Sequence, residues 1–183
     1  MIDERMKIIE KNPDTYYMLK SEDQIVGYFA IIPFKKGKMD NVLKQTLPFK
    51  IEIDDIEDFK EGNNVDLWLH VIGVKLGFTA SEKHIYGAKL IGGIIELILG
   101  LGEKGITIGT MAARSNTSDG IRLMRRAGFT EVPPATPERR TFIINVNESG
   151  IPYVMQYKEK LSAWKERDNL STSNNGTKAS KHA

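Results

Sequence analysis

Val65-Asp66-Leu67-Trp68-Leu69-His70-Val71-Ile72-Gly73-Val74 is apolar at every position except Asp66, His70 and the glycine. A strand with one wet face alternates apolar with polar, whereas a strand covered on both faces reads as a continuous apolar run. The stretch therefore predicts a central strand. Downstream, Ser81 stands as an N-cap, with Glu82 and Lys83 in the first turn of a helix over 82–103. Leu90, Ile91, Ile94, Ile95, Ile98 and Leu101 recur at helical spacing. Gly105 ends that helix, and Ile106 to Met111 reads as a second central strand. Strand, long helix, strand is a βαβ unit, so the two strands should be parallel and the crossover right-handed.

Outward from this unit the chain is antiparallel in character. Residues 15–20 and 25–32 are rich in β-formers and flank the polar turn Ser21-Glu22-Asp23-Gln24, which predicts a hairpin. A short helix over 2–11 precedes it, stopped by Asn12-Pro13. Between hairpin and central strand, the sequence predicts a helical segment over 39–47 and a short run over 49–53. A further short helix is capped by Asp54 or Asp55 and ends at Gly62. After the second central strand, Ala112 to Asn116 reads as a small-residue loop, and Thr117 to Arg126 as a helix capped by Ser115 or Thr117 and closed by Gly128. Residues 131–138 hold three prolines and read as a loop, and 140–146 as a last strand. The organisation is thus one α/β (α+β) domain over 1–148, an amphipathic helical extension over 149–168, and a disordered tail over 169–183.

Composition narrows the function. The 183 residues carry a net charge of +2, with 26 basic and 24 acidic side chains, so no overall field recruits nucleic acid or a membrane surface. The chain contains no cysteine and three histidines (His70, His84, His182), which excludes a thiol nucleophile and leaves no metal site to expect. The N-terminal Met1-Ile2-Asp3-Glu4-Arg5 lacks the order of a signal peptide. The apolar run 90–101 is split by Glu96 and is too short to span a bilayer. A cytoplasmic location is the expectation. Five glycines (Gly87, Gly92, Gly93, Gly100, Gly102) lie inside the long helix. Each costs about 1 kcal/mol relative to alanine, so close packing on the sheet is expected to offset them.

The segment Thr117-Ser118-Asp119-Gly120-Ile121-Arg122-Leu123-Met124-Arg125-Arg126-Ala127-Gly128-Phe129 resembles a pattern of the GCN5-related N-acetyltransferase (GNAT) superfamily. That pattern is Asn-x-x-Ala-hydrophobic-x-Leu-Tyr-x-x-hydrophobic-Gly-Phe. Ile121, Leu123, Gly128 and Phe129 match, while Thr117, Gly120 and Met124 stand for Asn, Ala and Tyr. The order of elements from Thr15 to Val146 is also similar, over two-thirds to three-quarters of the chain. The resemblance implies a mixed, mostly antiparallel sheet with a central parallel β-α-β pair and flanking helices. It further implies acetyl-CoA as co-substrate, with the thioester along the first central strand, against Ile72 and Val74. The pyrophosphate would sit at the start of the long helix, where free N–H groups and the helix dipole favour anions. Thr79, Ser81, Lys83, His84 and Gly87 would supplement that end, and Asn116 and Thr117 the other strand. The chain departs from the family twice. Its nearest phosphate-loop candidate, His84-Ile85-Tyr86-Gly87-Ala88-Lys89, keeps one glycine, and Met124 replaces a tyrosine that would protonate the departing thiolate. Only a short helix precedes the hairpin, where the family usually has a further strand.

Candidate catalytic residues follow from chemistry and place. An imidazole titrates near neutrality, which suits His70 as a general base. Asp66 shares its strand face by alternation and could orient the ring. Ser115 lies at the carboxyl end of the second central strand, where open α/β sheets put ligands. Arg122, Arg125 and Arg126 on the short helix suit a phosphate, an acidic partner or simply water. The expected activity is acyl-CoA-dependent N-acetyl transfer to an unidentified amine. The alternative is a catalytically inactive GNAT-like module for ligand sensing or protein interaction. Trp164 in the extension could cover the chain's own core or a second copy, so a homodimer stays open.

Overall fold

The run from Val65 to Val74 lies at the middle of a sheet. The computed structural model describes residues 2–44, 50–136 and 139–176. Among these, six strands lie in the order β1-β2-β3-β4-β6-β5. They are β1 (Tyr16–Ser21), β2 (Gln24–Lys35), β3 (Asn64–Val74), β4 (Thr107–Ser115), β5 (Thr130–Thr136) and β6 (Arg139–Asn145). Neighbouring strands pair antiparallel except β3 and β4, which are parallel. The helices are α1 (Ile2–Lys11), α2 (Met39–Lys44), α3 (Ala80–Glu103), α4 (Ser118–Arg126) and α5 (Pro152–Gly176). The expected mixed sheet with a central parallel pair is the observed one.

The sheet is covered on both faces, as the unbroken apolar strand requires. On one side Phe29, Ile31, Val65 and Leu67 pack with Leu90, Ile98 and Leu101 of α3, and with Val154, Tyr157 and Leu161 of α5. On the other, Ile32, Phe34 and Trp68 pack with Ile8 of α1 and with Met39 and Val42 of α2. The α5 helix is an integral part of the first layer. Its buried Tyr157 hydroxyl accepts from the Ile108 N–H (2.6 Å) and donates to the Ile106 carbonyl (2.9 Å), tying α5 to the start of β4. Gly102 makes the crossing close: a Cβ there would lie 2.8 Å from the Tyr157 carbonyl oxygen. By length and apolarity α3 could cross a membrane; in this fold it is the crossover between the two parallel strands.

Several boundaries differ from the sequence reading, each for a local reason. Thr79, not Ser81, caps α3, because Thr79 and Glu82 form a reciprocal capping box that starts the helix two residues earlier. The small residues Ala112 to Ser115 continue β4, because β6 pairs with them as far as Ser115 opposite Arg140. The proline-rich segment from Thr130 to Thr136 is a strand at the sheet's edge, where missing N–H groups are tolerated. No helix runs to Gly62. Ile53–Asp55 forms one 3-10 turn, and Ile56 then bridges to Phe34 and is buried. Helix α5 continues past 168 to Gly176, where an unstructured tail was expected, while 177–183 lie outside the described residues. The ends of the segments expected over 39–47 and 49–53 also fall partly outside, at 45–49.

Candidate functional site

The two parallel strands part company half-way. Their ladder runs from Asn64 opposite Thr107 to Leu69 opposite Ala113. Beyond that pair, β3 stays bound to β2 as far as Val74, and β4 stays bound to β6 as far as Ser115. A bulge marks the place. Ala30 pairs with Val71 and Ile31 with Leu69, leaving His70 as an extra residue in β3. An extra residue reverses the alternation of side chains downstream. Leu67, Leu69, Ile72 and Val74 consequently all meet the α3 side of the sheet.

A cavity of about 1020 Å³ opens on that side. Its floor is Leu67, Leu69, Ile72 and Met111; α3 and α4 form its walls, and Ile151, Pro152 and Tyr153 at the start of α5 close its far end. Its charged residues are Lys83, Asp119, Arg122 and Arg126, with His84 beside them. Among the described residues Lys83, His84 and Arg126 have no side-chain partner, whereas Arg122 pairs with Asp119 and Arg125 with Glu131 (3.0 Å). An apolar floor under a basic rim fits a ligand with an apolar body and an anionic end.

The first turn of α3 is less open to an anion than its sequence suggested. The Glu82 carboxylate accepts from the Thr79 N–H (2.8 Å) and hydroxyl (2.7 Å), and these bonds hold its carboxyl below the usual range. A fixed negative charge thus stands at the helix end. Thr79 and Ser81 are exposed there but do not line the cavity, whereas Lys83, His84 and Gly87, one to two turns on, do.

The other candidates separate. Ile72 lines the cavity and Val74 does not. His70 follows Trp68, which faces the α1–α2 layer, and its Nδ1 accepts from the Trp68 Nε1–H (3.3 Å). An accepting Nδ1 on a neutral ring puts the proton on Nε2, so the lone pair that would take a proton is already engaged. Asp66 is buried, and its two oxygens accept from the main-chain N–H groups of Gly37 (2.8 Å) and Thr110 (2.9 Å). The Thr110 bond lies at the irregular step between Val65 and Leu67 in the parallel ladder, and the Gly37 bond holds the turn after β2. Asp66 serves the backbone there, and does not stand on the His70 ring as alternation suggested. Thr117 caps α4 through the Gly120 N–H (3.1 Å), and Ser115 lies against it, with the two hydroxyl oxygens 3.4 Å apart. Asn116 is exposed and, like Ser115 and Thr117, is not part of the cavity lining. Arg114 belongs to the opposite face, donating to the Val42 (3.2 Å) and Leu43 carbonyls near the end of α2 and standing 5.9 Å over the Trp68 ring.

No protein-family model matches the sequence, and no curated protein sequence does. Solved structures do. The fold is similar to that of an agmatine N-acetyltransferase mutant in its apo form, with TM-score 0.50 and 12% identity over 79% of this chain and 83% of that one. It is similar to the C-terminal condensation domain of Ebony in complex with beta-alanyl-dopamine, with TM-score 0.50 and 9% identity over 79% and 77%. A putative acetyltransferase from Staphylococcus aureus Mu50 aligns over 79% of both chains, at 14% identity and TM-score 0.47. The chain has the GNAT fold.

Two departures from the GNAT helix pattern acquire physical reasons. A Cβ on Gly120 would lie 2.1 Å from the Ser115 hydroxyl oxygen, so the alanine usual there cannot coexist with Ser115 in this rotamer. Met124 is buried with Ala113 and Phe142 and also lines the cavity, where it offers no proton. The sequence reading passed over Tyr153 as a site residue. Its hydroxyl donates to the Ala127 carbonyl (3.2 Å) one turn beyond Met124, and burial pushes its pKa up to about 12. Near neutral pH it stays protonated. In sequence Tyr153 only opened the helical extension, and nothing local marked it as facing a cavity.

Proposed function

We propose that this chain is an acyl-CoA-dependent N-acetyltransferase acting on an amine acceptor. The observation that carries the reading is the parting of β3 and β4 beside an apolar cavity lined on α3 by Lys83 and His84, which have no side-chain partners among the described residues. The cavity takes the pantetheine arm and the basic rim the phosphates. The amine nitrogen attacks the thioester carbonyl, a C–N bond forms, and charge develops on the carbonyl oxygen. Main-chain N–H groups of β3 beyond Leu69, which lack a β4 partner, stabilise it. Collapse breaks the C–S bond. Rate comes chiefly from alignment of amine and thioester. Because His70 Nδ1 is engaged by Trp68 and His70 is not part of the cavity lining, solvent water takes the amine proton, and the thiolate takes one from solvent. Asp66 and Ser115 act as positioning residues, through the Gly37 turn and the start of α4. The reading carries a cytoplasmic setting with it, and self-association through α5 stays within the proposal, checked by sedimentation.

A second reading, a GNAT-fold module that binds without catalysis, is favoured by Met124 in the tyrosine position and by the Glu82 charge at the α3 end. Calorimetric titration with CoA and acetyl-CoA, followed by a thiol-release assay against a panel of amines, separates the two. Binding weakened about tenfold or more by Lys83→Ala or His84→Ala, the effect of losing a charge-assisted contact, supports the phosphate assignment. Binding with no thiol release for any amine favours the module. No binding at millimolar CoA removes the acetyltransferase reading and leaves the non-catalytic module.

A further inference from the structure

The cavity does not stop where the strands part. Leu67 and Met111 form one of the closed pairs of the parallel ladder, deeper than the Leu69–Ala113 pair, and both line it. Above them the α3 wall continues through Ile94, Ile95 and Ile98. From Ile91 to Ile98 this wall runs about 10 Å along the helix axis. Of the charged lining residues, Lys83 lies about three turns earlier on α3, Asp119 and Arg122 pair with each other on α4, and Arg126 adjoins Ala127 at the Tyr153 end. A thioester held at the parting of the strands, with its phosphates at the basic rim, therefore has an apolar chamber behind it that an acetyl group would leave largely to water.

We infer that the preferred donor carries a medium-chain acyl group, seated between Ile94, Ile95 and Ile98 on one side and Leu67 and Met111 on the other. This rests on the acyl-CoA reading above and narrows its donor class. Burying a methylene in an apolar site is worth about fourfold in affinity. Affinity should therefore climb with chain length until the chamber is full, and then level off or fall. The thioester chemistry is unchanged: the amine gains the longer acyl group, and CoA leaves as the thiol.

The test is a calorimetric series on the full chain with CoA, acetyl-CoA, butyryl-CoA and octanoyl-CoA at one salt concentration. The expected result is octanoyl-CoA binding at least tenfold more tightly than acetyl-CoA. Ile95→Phe, which places a ring in the chamber, should bring the octanoyl-to-acetyl ratio down toward one, with its thermal melt as the check on folding. The series on the unaltered protein decides the matter even where that variant fails to fold. CoA binding with equal or better affinity for acetyl-CoA than for octanoyl-CoA overturns this inference and leaves the acyltransferase reading standing. Absence of binding by CoA and every thioester overturns both.

Discussion

The two ends of α3 are built on opposite principles. Its C-terminal part is closed. Leu101 and Gly102 are buried, Gly102 lets α5 approach to contact distance, and the Trp164 ring occupies the space beside Gly105, whose φ of +74° ends the helix. Its N-terminal part is open. A Cβ at Gly87 would meet nothing within 4 Å, and Lys83 and His84 stand without side-chain partners among the described residues. One helix thus spends part of its length on stability and part on lining a cavity. Apolar character alone does not say which part is which.

The same substitution at the two ends should have opposite signs. Gly102→Ala drives a methyl into the Tyr157 backbone and ring and should cost about 2–3 kcal/mol, read by urea denaturation. A neutral result would mean that the α3–α5 crossing is looser than described. Next in size is Tyr157→Phe, which strips the partner from a buried N–H and a buried carbonyl and should cost about 2 kcal/mol. The ionisation of that hydroxyl extends the comparison to pH. Burial pushes the Tyr157 pKa up to about 12 from an ordinary 10.0, as it does for Tyr153. The unfolded chain then loses these protons first. Stability should be flat below pH 10 and fall between pH 10 and 12, with a shallower fall in Tyr157→Phe. The smallest effect is Gly87→Ala, which should stabilise by about 0.5–1 kcal/mol because it only restricts the unfolded chain. Loss of CoA binding in that stabler variant would show that a ligand approaches the backbone at Gly87.

Much of the fold could be read from the chain because the β3–α3–β4 unit announces itself by period: continuous apolarity, helical spacing, then a second run. The β5 strand could not, since its prolines argue for a loop until β6 is seen to need an edge partner. The candidate site was legible where it depends on position along an element, as for Ile72, Lys83 and Gly87. It was illegible where it depends on partners far along the chain. Asp66 finds Gly37 and Thr110, 29 and 44 residues away, and no local rule proposes either. The bulge at His70 is a property of β2 and β3 together, so the simple alternation that paired His70 with Asp66 had no means of detecting it. Sequence rules see propensity and spacing, whereas a cavity wall is made by elements that meet only in three dimensions.

The anchoring of α5 has a consequence for how the molecule is made. Of the described elements α5 leaves the ribosome last, yet its tyrosine clasps Ile106 and Ile108 at the start of β4, made 51 and 49 residues earlier. Until that clasp closes, the nascent sheet has one layer incomplete and its cavity has no far end. Chains emerge at about 5–20 residues per second, so this interval lasts several seconds, during which the apolar α3 is exposed to whatever chaperone or neighbouring chain is at hand. Competence to bind would therefore arrive abruptly, once α5 has emerged and docked.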